Sequence, residues 1–182
     1  DLTATFRGKT AGTGTITATS GGKSATSSYT ILNGAARNIS IDAATLALTP
    51  GTSKRVTVTV KDSYGNVDPD EVITVSYVGT AGRVASVNGV SAATGTTDAK
   101  GQVVIELISD SAGTGTLTAS FTGGSTATTT NLNGTARLAR VASVTSAVTI
   151  SGSSAAVDAA NAASDAAAEA IDAANEIGRA HV

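Results

Sequence analysis

One stretch is written twice in this chain, and its spacing limits what the chain can fold into. Ala11-Gly12-Thr13-Gly14-Thr15-Ile16-Thr17-Ala18-Thr19 returns as Ala112-Gly113-Thr114-Gly115-Thr116-Leu117-Thr118-Ala119-Ser120. Each copy runs through a Gly-Gly pair (Gly21-Gly22, Gly123-Gly124) and a Ser/Thr-rich run. Each then closes alike, on Leu32-Asn33-Gly34-Ala35-Ala36-Arg37 and Leu132-Asn133-Gly134-Thr135-Ala136-Arg137. The offset is 101 positions from Ala11 to Ala112 and 100 from Leu32 to Leu132. A period of about 100 residues is a whole small domain and too long for a solenoid unit. Residues 1–37 align with 102–137, so they are expected to be the C-terminal strands of a preceding domain, a fragment. Residues 38–137 then form the complete domain.

Within each copy the apolar residues alternate with polar ones. Leu2, Ala4 and Phe6 do so near the start, as Val103, Ile105 and Leu107 do later, and period two marks a half-buried strand. Without its first strands the early fragment is expected to be loosely ordered or to pair with whatever lies nearby. In the complete unit, Ile39-Ser40-Ile41 and Leu46-Ala47-Leu48 come first. Val56-Thr57-Val58-Thr59-Val60 is the plainest strand of all. Lys61-Asp62-Ser63-Tyr64-Gly65-Asn66 breaks it with turn formers. Val72 to Val78, pieces from Val84 to Val90 around an Asn88-Gly89 turn, and Val103 to Ile108 follow. About seven or eight short strands at this spacing predict a β-sandwich.

The Val/Thr strand ending in Lys61-Asp62-Ser63-Tyr64-Gly65-Asn66-Val67, the later Thr97-Asp98-Ala99-Lys100-Gly101, and then Ala112 to Ala119 together resemble the bacterial immunoglobulin-like repeat of invasin- and intimin-type adhesins. The resemblance covers 38–137, with 1–37 as a partial second copy. It implies an immunoglobulin-like fold and tandem extracellular modules that act as spacers or contact surfaces, with no catalytic residues to carry over.

Residues 138–152 lose the turn signals and are expected to be a linker. From Val157 the period becomes seven, and residues 153–176 are expected to be an Ala-rich helix capped by Ser153 or Ser154. Asp158, Asp165 and Asp172 hold one heptad position. Val157, Ser164 and Ile171 form an a row, with Ala160, Ala167 and Ala174 as d, a seam for helix self-association. A β-sandwich array followed by an Ala/Asp/Asn heptad tail resembles the C-terminal region of surface-layer proteins from ammonia-oxidising archaea. In that family the helix runs on for further heptads. Here Ile177-Gly178-Arg179-Ala180-His181-Val182 breaks the pattern, and it is similar to the translation of a common sequencing adapter. Residues 177–182 are therefore expected to be an artefact.

The chemistry is sparse. The chain has no cysteine, which excludes disulfides and thiolate chemistry, and His181 is its only histidine. Charged residues are 14% of the chain. Residues 1–154 carry 11 basic and 9 acidic side chains, and residues 155–182 carry 1 and 5. Neither part is basic enough to suggest nucleic acid, and no apolar run could span a membrane. Asp62, Asp68, Asp70 and Glu71 cluster as solvated turn residues or, alternatively, as a loose calcium site at a domain junction; no other cofactor is expected. Asn38-Ile39-Ser40 and Asn133-Gly134-Thr135 are glycosylation sequons.

The expectation is thus a mainly β protein, an immunoglobulin-like β-sandwich with a C-terminal Ala-rich α-helix, and not an enzyme. It would be a secreted structural component of a prokaryotic cell-surface layer that self-associates into an array or coiled coil. The alternative is an invasin-like adhesin stalk contacting cells or host surfaces.

Overall fold

The structure is a computed structural model that describes residues 3, 5–124, 137–153 and 155–180. Two strands come first, β1 (Gly12–Ser20) and β2 (Lys23–Ile31). Nine more follow among the described residues: β3 (Ala36–Ile41), β4 (Thr45–Leu48), β5 (Ser53–Asp62), β6 (Val72–Gly79), β7 (Arg83–Val87), β8 (Thr94–Thr96), β9 (Gln102–Ile108), β10 (Gly113–Phe121) and β11 (Ser143–Ile150). The helix α1 (Ala155–Ala180) ends the described chain.

β3 to β11 form two sheets, in the orders β3-β5-β9-β7 and β4-β11-β10-β6-β8. With β3, β5, β6, β7, β9, β10 and β11 taken as strands A, B, C, D, E, F and G, these sheets are ABED and GFC, the immunoglobulin arrangement. β4 adds in parallel to β11, and β8 adds to the outer edge of β6. Every second residue of the inner strands points between the layers, which is the physical content of the Val/Thr alternation. Val56, Val58 and Val60 of β5, with Val103, Ile105 and Leu107 of β9, face Ile73, Leu117, Phe121, Val148 and Ile150 across the core, and all are buried.

Burial also explains a glycine. A Cβ on Gly115 would run into the ring of Tyr77, whose hydroxyl donates to the Ala81 carbonyl at 2.5 Å. Gly115→Ala is expected to push that ring aside and to cost about 2 kcal/mol, read as a lower midpoint in urea.

Three expectations change. The stretch 138–152 contains β11, the closing strand of the sandwich, so the module runs from β3 to β11. Val144, Val148 and Ile150 alternate with polar residues there, and β10 offers them a free edge. Leu2 and Ala4 lie outside the described residues, and residues 5–9 around Phe6 are not a strand. The matching strand β9 is held on both sides by β5 and β7, whereas no described strand pairs with residues 5–9. β1 and β2 instead pair with each other across Gly21 and Gly22, both at positive φ. Finally, α1 does not stop at Glu176; Ile177 to Ala180 continue it. Gly178 is the one poor helix former in that turn, and Arg179 suits the negative end of the helix dipole.

Candidate functional site

Three segments meet where β5 ends, and a buried carboxylate joins them. Asp62 is fully buried at the last position of β5. Its Oδ1 accepts from the amides of Tyr64 (2.8 Å) and Asn66 (2.9 Å), the local turn that the Asp-Ser-Tyr-Gly-Asn sequence favours. Its Oδ2 accepts from the Asn66 side-chain amide (2.9 Å) and from the backbone of Gly34 (2.9 Å). Burial raises the Asp62 pKa, but the bonds from the Asn66 side chain and from the Gly34, Tyr64 and Asn66 amides outweigh it and hold the group below the usual carboxylate range.

Asn66 carries the contact on to the hairpin. Its Nδ2 also donates to the Lys9 carbonyl (2.9 Å), and its Oδ1 accepts from the Ala11 amide (3.0 Å). Asn33, just after β2, donates to Asp68 Oδ1 at 2.5 Å. The returning chain arrives at the same place. Leu138 donates its amide to the Ser63 carbonyl and accepts from Arg37 Nε, while the Arg137 guanidinium lies 5.9 Å from the centre of the Tyr64 ring. The hairpin, the sandwich and the approach to β11 are thus fixed at one joint.

Asp68 is the strained member. It is 5% exposed, and its Oδ2 has no hydrogen-bond partner. Burial, with Glu71, Asp62 and Asp70 close by, pushes its pKa up to about 6 against the opposing Asn33 bond. A carboxyl with a raised folded pKa costs stability while it is ionised, and that cost falls away as pH drops from above the folded value towards the unfolded value of about 3.9. Stability is therefore expected to rise by about 1–3 kcal/mol between pH 7 and pH 4.5. Asp68→Asn should remove most of that rise while raising stability at pH 7, as thermal melts across pH would show.

The residues singled out in the sequence fall in different places. Asp62 and Asp68 belong to the joint and are buried, not solvated. Asp70 is exposed, at a left-handed φ of 64°. Among the described residues no group of three or more His, Cys, Asp or Glu side chains is placed to hold a metal ion. Asn38 is half-buried on β3, and its amide donates to the Ala139 carbonyl at 3.4 Å. Asn133 and His181 lie outside the described residues. Val157, Ala160, Ser164, Ala167, Ile171 and Ala174 all lie on α1 and are exposed. Ser153 bonds to Asp158 at the start of that helix, and Ser154 lies outside the described residues.

Sequence reasoning missed Asn33 and Asn66 as joint residues. The signal was present, because the Asn-Gly of Asn33-Gly34 sits at the end of each repeat.

Among the described residues, two of the surface grooves are open to solvent. One, of about 490 Å³, is lined by Val75, Tyr77, Arg83, Val84 and Ala93. The other, of about 350 Å³, holds Arg55 and Glu106 at 3.6 Å. In the second, the Ser86 hydroxyl also donates to Glu106 Oε2 at 3.4 Å. No described helix is long and apolar enough to cross a membrane.

No family model matches the sequence, and no curated protein matches it. Solved structures do. Domains 4 and 5 of the S-layer protein SbsC align at 18% identity with a TM-score of 0.42, over 78% of this chain and 59% of that one. The Yersinia pseudotuberculosis adhesin InvE aligns at 18% and 0.42, over 78% and 40%. A glycosyl hydrolase family 2 member from Bacteroides cellulosilyticus aligns at 16% and 0.44, over 76% and 17%. This chain thus spans less than two thirds of each, and a likeness at this level assigns no activity.

Proposed function

We propose that this chain is a structural part of a prokaryotic cell-surface layer, in which immunoglobulin-like modules serve as scaffold and spacer. The observation that carries this reading is the joint. Residues 9–11 and 33–34, which belong to one copy of the repeat, are tied to the next copy through Asp62, Asn66 and Asp68. A hydrogen-bonded connection of that kind, anchored on the buried Asp62, holds consecutive modules at a fixed angle, which suits a load-bearing array.

The helix would supply the assembly element. On α1 the seam residues Val157, Ala160, Ser164, Ala167, Ile171 and Ala174 are exposed, and the carboxylates Asp158, Asp165, Glu169, Asp172 and Glu176 fall at the b and f heptad positions, off that seam. Small seam residues let a second helix approach closely. Ile171→Asp with Val157→Asp is expected to leave the sandwich folded and to shift any sedimenting oligomer to monomer. Electron microscopy of the full-length protein tests the main reading. Ordered two-dimensional arrays are expected; monomers that bind cells or glycans without forming a lattice would put an adhesin stalk in its place.

A further inference from the structure

The Asn33-Gly34 pair carries a glycine that the fold does not require. Gly34 does not take a left-handed φ, and a Cβ there would meet only Asp62, at an ordinary contact of 3.4 Å. By contrast, Gly101 and Gly124 take positive φ and lie hard against backbone atoms. The pair nonetheless returns as Asn133-Gly134, while Ala35 beside it becomes Thr135. Shape does not account for this glycine, but chemistry does. In Asn-Gly no Cβ hinders the second residue's nitrogen as it approaches the side-chain carbonyl of the first.

The joint surrounds that pair with the groups such an attack uses. The Asn33 side chain lies along the Gly34 peptide, and its Nδ2 donates to the Gly34 carbonyl at 3.3 Å. The Gly34 N–H, the nucleophile, already donates to Asp62 Oδ2 at 2.9 Å. Asn33 Nδ2, the leaving group, donates to Asp68 Oδ1 at 2.5 Å. Asp68 is buried and its Oδ2 has no partner. Burial beside Glu71, Asp62 and Asp70 pushes its pKa up to about 6, so a proton is at hand near neutral pH. One carboxyl thus receives a proton at the nucleophile, and the other supplies one at the leaving group.

We propose that Asn33-Gly34 is a self-modification site, at which the joint drives closure of the Asn33 side chain onto the Gly34 nitrogen. That nitrogen passes its proton to Asp62 and forms a bond to Asn33 Cγ. The bond from Cγ to Nδ2 breaks, and Nδ2 leaves as ammonia with a proton from Asp68. Solvent returns the proton on Asp62 to Asp68, so ammonia alone is lost. Water then opens the cyclic imide, giving aspartate or isoaspartate at position 33.

The product changes the joint. A carboxylate replaces the donor that Asp68 accepts from, in a place where Asp62, Glu71 and Asp70 already crowd it. Repulsion between like charges then loosens the hairpin from the sandwich, and the connection has a limited lifetime. The chemistry needs only the joint and no cell-surface location.

The test is peptide mapping by mass spectrometry while the purified chain is incubated near neutral pH. Asn88, in the other described Asn-Gly pair, is the internal reference, because its side chain bonds the Thr96 carbonyl and the Val104 amide. Loss of ammonia and later gain of water at Asn33 is expected to run about tenfold faster in the folded chain than in urea. In urea Asn33 and Asn88 should convert at similar rates. Asp68→Asn keeps an acceptor for Asn33 but no acidic proton. It should slow Asn33 about tenfold and leave Asn88 unchanged. Gly34→Ala is expected to melt as the parent does and to stop the conversion. An Asn33 rate no higher folded than in urea, or one that survives Asp68→Asn or Gly34→Ala, would overturn the proposal.

Discussion

Val58→Asp is expected to lower the melting temperature by roughly 15–30 °C, or to leave no folded sandwich at all. Val58 is fully buried in the middle of β5, between Ile41 of β3 and Val103 of β9. Its neighbours across the layer are hydrocarbon, so a carboxylate there finds no donor. An unpaired buried charge either stays ionised at a cost of about 4 kcal/mol or more, or takes up a proton at a similar penalty. Domains of this size hold about 5–15 kcal/mol in total, and each 1 kcal/mol moves the midpoint by about 4–8 °C. The control is Val104→Asp, on the opposite face of β9 and 38% exposed, which should change stability by about 1 kcal/mol or less. Equal melting temperatures for the two variants would mean that the strand phase is wrong.

The second large effect belongs to the joint. Asp62→Ala removes the acceptor of four donors, the amides of Gly34, Tyr64 and Asn66 and the side chain of Asn66. Each donor left in a buried site costs about 1–3 kcal/mol unless water reaches it. Allowing for water entry, the expected loss is about 3 kcal/mol. It should come with faster hydrogen exchange at Gly34 and Ala11, because the same change frees the hairpin. Asp68→Asn is expected to act in the opposite direction at pH 7, since it removes a carboxylate that the site does not fully partner. A pair of neighbouring carboxylates whose neutral variants shift stability in opposite senses is the signature of this joint. A calcium site at Asp62, Asp68 and Asp70 would behave differently, with EDTA lowering the melting temperature; with a hydrogen-bonded joint, EDTA leaves it unchanged.

The sandwich was legible wherever its strands alternate with β-branched residues. Val56 to Val60 and Val103 to Ile108 could be read directly, because period two puts Val56, Val58 and Val60, and likewise Val103, Ile105 and Leu107, on one buried face. The Asn88-Gly89 turn was also readable, and both residues take positive φ. β11 escaped because the repeat was aligned on its shared Leu-Asn-Gly ending, which pairs residues 24–32 with the run before Asn133. Yet Ser143-Val144-Thr145-Ser146-Ala147-Val148-Thr149-Ile150 matches Ser24-Ala25-Thr26-Ser27-Ser28-Tyr29-Thr30-Ile31 at five of eight positions. The same edge of the two equivalent strands selects both segments. The joint was only half legible. A turn at Asp62 follows from local sequence, but its burial does not, since the Gly34 amide that completes the site lies 28 residues upstream. The helix was readable from its alanines, whereas the residues after Glu176 were expected to break it and instead prolong it.

The most direct test of the central claim is labelling of intact cells that make the full-length protein, with an antibody raised against the β3–β11 sandwich. A structural module of a surface layer is expected to be labelled densely and evenly before lysis, with no further gain once the cells are opened. Labelling that appears only after lysis would contradict the claim.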